Sequence, residues 1–352
     1  MIQHYLFNKL TVAAGRAIVA EGKTWLFFGG TAYLSLTQHP AFMELFIRGV
    51  QTYGINYGTS RSNNVQCGIY EEAEQCAAAR FGAESALITS SGFLAARMAA
   101  EWLADKGTLL YAPDCHPALW LKEKPDTTGD FCAWAARTVE YINSSDKKHF
   151  VVVSNTINNL LPEQYDFSVF SNIHPDKQVF FLLDHSHGIG ILPNTPSQVR
   201  QYIPAGNHLR VCMVASMAKG LGIDAGVLLS DKETIDALKQ SPIFLGASPP
   251  APAAMYAFIR GNELYREQQE LLQQNIRFFR ENIRQECRYT AGFPVFYFPE
   301  TGLYDRLLKK HIIISAFPYP LPTSPLLNRV VISSGHTRSD IEQLLTAIHQ
   351  NG

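Results

Sequence analysis

The sequence has no dominant charge, no paired cysteines and no long apolar run. Its 30 lysines and arginines stand against 31 aspartates and glutamates, a formal net charge of −1. With no long basic block either, nucleic acid and an anionic membrane are excluded as main partners. Six cysteines (Cys67, Cys76, Cys115, Cys132, Cys212 and Cys287) are scattered without a CxxC pair. That pattern fits reduced thiols in a cytoplasmic protein, not a disulfide framework or a zinc site. No apolar run approaches the roughly 20 residues that a membrane span needs. The opening "MIQHYLFNKL" has no cationic segment followed by an apolar core and a cleavage site. Internal repeats and low-complexity tracts are also absent. What is there is a chain of 352 residues, 46% hydrophobic and 17% charged, ample for one large core or two domains.

The middle of the chain alternates short apolar runs with helical stretches. Strands are predicted at 85–90, 108–112, 150–155, 179–184, 210–216 and 226–230, with helices at 71–81 and 93–106. Such alternation points to a mostly parallel sheet covered by helices. "SDKE" (230–233) reads as a capping box opening one more helix. After "ASPPAPA" (247–253), a stretch rich in Leu, Glu, Gln and Arg reads as one long helix to about Gln285, bent near Gly261. "FPVFYF", "HIIISAF" and "RVVISSG" read as strands, and "SDIEQLLTAIHQ" as a final helix capped by Ser339 and Glu342. "FPYPLPTSP" (317–325) is too proline-dense for regular structure and reads as a surface loop. The domains expected are an N-terminal segment (1–38) packing with a small domain, a large domain (39–245), and a long helix with the small C-terminal domain (246–352).

"FFLLDHSHGIGIL" (180–192) runs an apolar strand directly into Asp184. A charge at the end of a buried strand needs compensation, and open α/β sheets bind their ligands where parallel strands end. Taken alone, Asp184 reads equally well as a helix cap or half of a salt bridge. "SMAKGLG" (216–222) places Lys219 among small residues and glycines after another apolar strand. A lysine there is either a turn residue or an amine whose pKa is lowered for attack on a carbonyl. The pair suggests pyridoxal 5'-phosphate, with Lys219 carrying the cofactor as a Schiff base and Asp184 facing the protonated pyridine nitrogen.

The order of motifs resembles the α-oxoamine synthases, a family of fold-type I pyridoxal-phosphate enzymes related to class II aminotransferases. It includes 8-amino-7-oxononanoate synthase and 2-amino-3-ketobutyrate CoA ligase. "GTAYLSLTQHP", "YGINYGTSR", "SGFLAA", "PDCHPAL", "DHSHG", "SMAKGLG" and "RVVISSGHT" follow one another as that family's motifs do; "DHSHG" is similar to its Asp-x-Ala-His. The resemblance implies a large, mostly parallel seven-stranded sheet domain with a smaller α+β C-terminal domain. It implies a cytoplasmic homodimer that acts on an amino acid and an acyl-CoA. By the same resemblance Lys219, Asp184 and His187 are catalytic, His187 reaching the ring oxygen or the substrate. His116 stacks on the ring, the amides of Gly92 and Phe93 with the Ser216 hydroxyl hold the phosphate, and Asn158 stands in for a family serine. Arg329 binds the substrate carboxylate. Departures lie at the periphery: Ala218, Thr31, Ser35 and Tyr70 replace family residues, and Leu245 and Gly246 lack hydroxyls that the family carries. They bear on the acyl-CoA more than on the cofactor, so an aminotransferase on the same scaffold stays open, as does a catalytically silent partner subunit.

Overall fold

The alternation in the middle of the chain is realised as a sheet with a parallel core. In the computed structural model, residues 7, 9–158, 160–192, 202–204, 206–318, 323 and 326–350 are described. In chain order, β1 (Ala17–Ala20) and β2 (Lys23–Phe28) precede α1 (Pro40–Tyr53), α2 (Ile69–Phe81), β3 (Ser85–Thr89), α3 (Gly92–Leu103) and β4 (Thr108–Tyr111). Then come α4 (Phe131–Ser144), β5 (His149–Asn155), β6 (Gln178–Asp184), β7 (Leu209–Ser216), β8 (Gly226–Ser230), α5 (Lys232–Lys239), α6 (Pro252–Arg260) and α7 (Asn262–Asn282). The chain closes with β9 (Arg288–Tyr289), β10 (Val295–Phe298), α8 (Leu303–Leu308), β11 (Ile312–Pro318), β12 (Leu326–Val331) and α9 (Arg338–His349). Two units form: Ala41–Asn158 with Gln164–Asn262, and Met1–Pro40 with Asn159–Glu163 and Glu263–Gly352.

In the first of these units the sheet order is β3-β8-β7-β6-β5-β4. β4 to β7 run parallel, while β8 is antiparallel to both neighbours. Val151, Val153, Leu182 and Val214 of the central strands are fully buried in the core. α3 lays Ala95, Ala96, Ala99 and Ala100 against them, small side chains that let a helix sit close to the strands. A fully buried Val or Leu contributes roughly 1.5–3 kcal/mol, so this layer fixes the sheet. Register then sets the site, for Asn155 pairs with Asp184 and Asp184 with Val214, bringing the polar ends of β5 and β6 level, with Ser216 two residues further along β7. The sheet has six strands among the described residues, where the resemblance implies seven. No strand forms between β4 and α4, a stretch carrying Pro113, Pro117 and Pro125, and proline cannot donate to a ladder.

The other unit holds a second six-stranded sheet, β1-β2-β11-β12-β10-β9, antiparallel except for β2 beside β11. His336 is buried there, stacked on Phe28 with ring centroids 4.1 Å apart. Its Nδ1 accepts from the Ser333 amide at 2.9 Å and its Nε2 donates to the Phe27 carbonyl at 3.0 Å. The single long helix expected after residue 253 is two helices, because Gly261 ends α6 and α7 starts afresh at Asn262. Two caps sit beside those read from the sequence. Asp231, not Ser230, caps α5, while Thr337 with Asp340, not Ser339 with Glu342, makes the capping box of α9. Most of the proline-dense segment 317–325 lies outside the described residues; Phe317 and Pro318 end β11. No helix of the described residues is long and apolar enough to cross a membrane.

Candidate active site

Asp184 is the last residue of β6, and its side chain is 11% exposed. Its Oδ1 accepts from the Ser186 amide at 2.8 Å, and its carbonyl accepts from the Thr156 amide at 2.9 Å. The carboxylate is therefore held on the strand end while Oδ2 stays available. Lys219 lies half-buried on the turn after β7. Burial pulls its amine below the usual lysine range, and Asp184 opposes that shift. This is the balance expected of an amine that must lose its proton without leaving the site.

His116 is placed by a turn. Asp114 adopts a left-handed backbone with φ of 55°, a conformation that aspartate tolerates. Asn155, at the end of β5, holds that turn with both ends of its amide: Nδ2 donates to the Asp114 carbonyl at 2.7 Å, and Oδ1 accepts from the His116 amide at 3.1 Å. Asn158 adds a bond to the Asp114 carboxylate at 3.3 Å. His116 Nδ1 approaches Asp184 Oδ2 at 4.0 Å, but it also accepts from the Ala118 amide at 3.2 Å. That nitrogen therefore carries no proton, and the approach is not an ion pair. Burial lowers the ring's pKa and Lys219 lowers it further, against Asp184. A neutral, half-exposed imidazole beside a carboxylate and an amine results.

The opposite end of the site is the start of α3. Ser91 caps the helix through the Leu94 amide at 3.1 Å, leaving the amides of Gly92 and Phe93 without intrahelical acceptors, as every helix start does. Gly92 fits tightly over β7, where an added Cβ would lie 2.5 Å from Cα and Cβ of Ser216. Gly226 is closed in the same way by the Ser91 carbonyl, 2.2 Å from such a Cβ. Behind this cradle, Glu74 is buried and pairs with Arg61, with Lys239 at 3.5 Å, while also accepting the Ile88 amide at 3.1 Å. Arg61 lies over the rings of Tyr70 and Phe244, 5.2 and 5.3 Å from their centroids.

Asp184, Lys219, His116, Ser216, Gly92 and Phe93 thus gather at the carboxyl end of the parallel strands. Phe93 offers its amide there, the residue being 62% exposed. His187 is half-buried on the turn beyond Asp184, and Asn158 stands one step back, on Asp114. Arg329 belongs to the other unit, on β12, opposite Ser315 of β11 and Tyr297 of β10. It is 5% exposed, its Nε has no hydrogen-bond partner among the described residues, and the neighbouring Tyr33 hydroxyl is held neutral by burial. Asn155, Thr156, His185 and Ser186 are the residues that sequence reasoning passed over. The available signal was "SNT" (154–156), which ends an apolar strand in polar residues just as Asp184 does.

Sequence comparison matches the profile of class I and II aminotransferases over residues 127–348, more than half of the chain. The 8-amino-7-oxononanoate synthase of Coprothermobacter proteolyticus is 21% identical over 95% of this chain and 90% of that protein. The synthase of the same name from Cronobacter sakazakii is 24% identical over 96% and 92%. Among solved structures, serine palmitoyltransferase of Sphingomonas wittichii superposes with a TM-score of 0.80 at 15% identity, covering 97% of this chain and 90% of that one. The 8-amino-7-oxononanoate synthase of Francisella tularensis gives a TM-score of 0.70 at 20% identity, with 92% and 96% covered. The architecture is the fold-type I arrangement expected from the motifs.

Proposed function

The chain belongs to the family of class I and II aminotransferases, and on that footing we propose that it is a pyridoxal-phosphate-dependent transferase of the α-oxoamine synthase kind, joining an amino acid to an acyl-CoA. The observation that carries the cofactor is one cluster: a lysine of lowered pKa, a carboxylate at a parallel strand end, and a helix start pressed onto β7. These groups suit pyridoxal phosphate in charge. The helix amides with Ser216 would hold the phosphate, and Asp184 would offer its carboxylate to the pyridinium. The synthases of Coprothermobacter proteolyticus and Cronobacter sakazakii, matched over nine-tenths or more of their length, favour the condensation.

When bound, pyridoxal phosphate supplies an electron sink for the carbanion left as an amino acid loses its α-proton. The chain's own residues do the rest. Lys219 would hold the cofactor covalently and would take the α-proton at Nζ, a task suited to its lowered pKa. Asp184 would keep the ring nitrogen protonated. His116, neutral and half-exposed, would lie beside the ring, His187 would serve the ring oxygen or the substrate, and Asn158 steadies the turn that carries His116. Arg329, buried and with no hydrogen-bond partner for Nε among the described residues, is the residue that the resemblance assigns to the substrate carboxylate. The same reading makes the protein a cytoplasmic homodimer. Its support is the face of α1 that exposes Met43, Phe46 and Ile47, an i, i+3, i+4 apolar stripe.

The test is the absorption spectrum of wild type and Lys219→Ala with pyridoxal phosphate, followed by amino acids with and without acyl-CoA. The reading expects a visible band that requires Lys219, and free CoA thiol released only when both substrates are present. Loss of the band with oxo-acid formation and no thiol would instead establish an aminotransferase, the reading that the missing hydroxyls at Leu245 and Gly246 favour. A wild type without the band overturns both.

A further inference from the structure

Ser186 stands where the resembled Asp-x-Ala-His motif carries alanine, and none of the roles above uses its hydroxyl. It is 6% exposed. The main-chain ladder between β6 and β7 ends with the His185 amide donating to the Val214 carbonyl at 2.8 Å. Beyond that rung the two chains turn off, and the amide of Ser216 meets a side chain instead: it donates to Ser186 Oγ at 2.9 Å. The amide of Ser186 itself donates to Asp184 Oδ1 at 2.8 Å. One residue therefore grips the carboxylate with its backbone and the start of the Ser216 turn with its side chain.

We propose that Ser186 is a positioning residue that extends the β6–β7 ladder by one side-chain rung, setting Ser216 against α3 for the cofactor phosphate while its amide orients Asp184. The two grips separate chemically, which makes the proposal specific. Replacing the hydroxyl removes the hold on Ser216 and leaves the hold on Asp184, since the amide remains. Ser216 is also the residue on which Gly92 presses, so a loosened Ser216 loosens the cradle of helix amides as well. The inference rests on the pyridoxal-phosphate reading, and its test has one arm that does not.

The variants are Ser186→Ala and, as the conservative rescue, Ser186→Thr. In cofactor-free protein labelled with 15N-serine, the Ser216 amide of Ser186→Ala should exchange about three- to tenfold faster, the worth of one neutral hydrogen bond, and Ser186→Thr should restore it. In the loaded protein, Ser186→Ala should weaken pyridoxal phosphate by the same factor. Phosphate-free pyridoxal should bind as it does to wild type, with the visible band unmoved because Asp184 is still held. Unchanged amide exchange, or equal weakening of pyridoxal and pyridoxal phosphate, overturns the proposal. If the wild type forms no Lys219-dependent band, the cofactor reading falls, and the exchange arm alone decides whether Ser186 holds Ser216.

Discussion

Replacing Gly92 with alanine tests whether the start of α3 is seated on β7 as tightly as the geometry requires. The φ of Gly92 is not in the left-handed region, so space alone is at issue. The added Cβ would lie 2.5 Å from Cα and Cβ of Ser216 and 2.8 Å from its nitrogen, whereas ordinary contact begins at 3.4 Å; the seat must open by about 0.9 Å. Nothing flexible can absorb this. Ser216 is the last residue of β7, paired with Gly226 of β8 and bonded to Ser186. Overpacking of that kind costs about 1–3 kcal/mol, or roughly 2–12 °C in Tm at about 2–4 °C per kcal/mol. Moving the helix amides by nearly an ångström should weaken pyridoxal phosphate by roughly ten- to a hundredfold. Thermal unfolding by near-ultraviolet circular dichroism and a fluorescence titration of the cofactor read the two effects. Gly246→Ala is the matched control: apart from its own helix and chain neighbours, no heavy atom of the described residues lies within 4 Å of its added Cβ, and it should stay within about 0.5 kcal/mol of wild type. Wild-type Tm and affinity in Gly92→Ala would refute the tight seat.

Two further outcomes follow from buried charge. Glu74→Gln leaves Arg61 and Lys239 facing a neutral amide and should cost about 3–5 kcal/mol in urea unfolding; a loss under about 1 kcal/mol would show that the triad carries little. Burial holds His185 and His336 down to about 4, from an ordinary 6.5. Above pH 6.5 both are neutral, folded or unfolded. Below it the unfolded chain binds protons first, so stability is present at neutral pH and falls as pH drops from 6.5 through 4. The loss is about 3 kcal/mol for each histidine, read from unfolding midpoints against pH. His336→Asn should flatten its share of that slope, and an unchanged slope would refute the assignment.

Asp184 was legible because it ends an apolar run with a charge that burial would penalise, and Lys219 because it sits among small residues and glycines just past another apolar strand. The polar shell around them was not. Asn155, Thr156 and Ser186 acquire their tasks from the pairing of β5 with β6 and of β6 with β7, and no local pattern encodes which strand lies beside which. The caps show the same limit at shorter range. "SDKE" and "HTRSDIE" each offer neighbouring cap candidates, and partners distant in the chain choose between them. Arg210 reaches Asp231 at 2.9 and 3.1 Å, while Arg16 reaches Asp340 at 2.7 and 2.6 Å. Arg329 was visible as a residue, but its burial depends on lying between β10 and β11.

The way the two units divide the chain sets a timetable for synthesis. Every strand of the sheet that carries Asp184 and Lys219 lies between residues 85 and 230, so that sheet can close while the rest of the chain is still being made. The other sheet cannot. It has only β1 and β2 until residue 288 emerges, and β2 waits for β11, since Leu26 pairs with Ile312 and Phe28 with Ile314. Long-range parallel pairing is slow to form, and an unpaired edge exposed in the meantime invites association with other chains. The hairpin β1–β2 is thus the segment that a nascent chain must keep out of trouble longest. Truncated or stalled products should aggregate through it rather than through the site-bearing sheet.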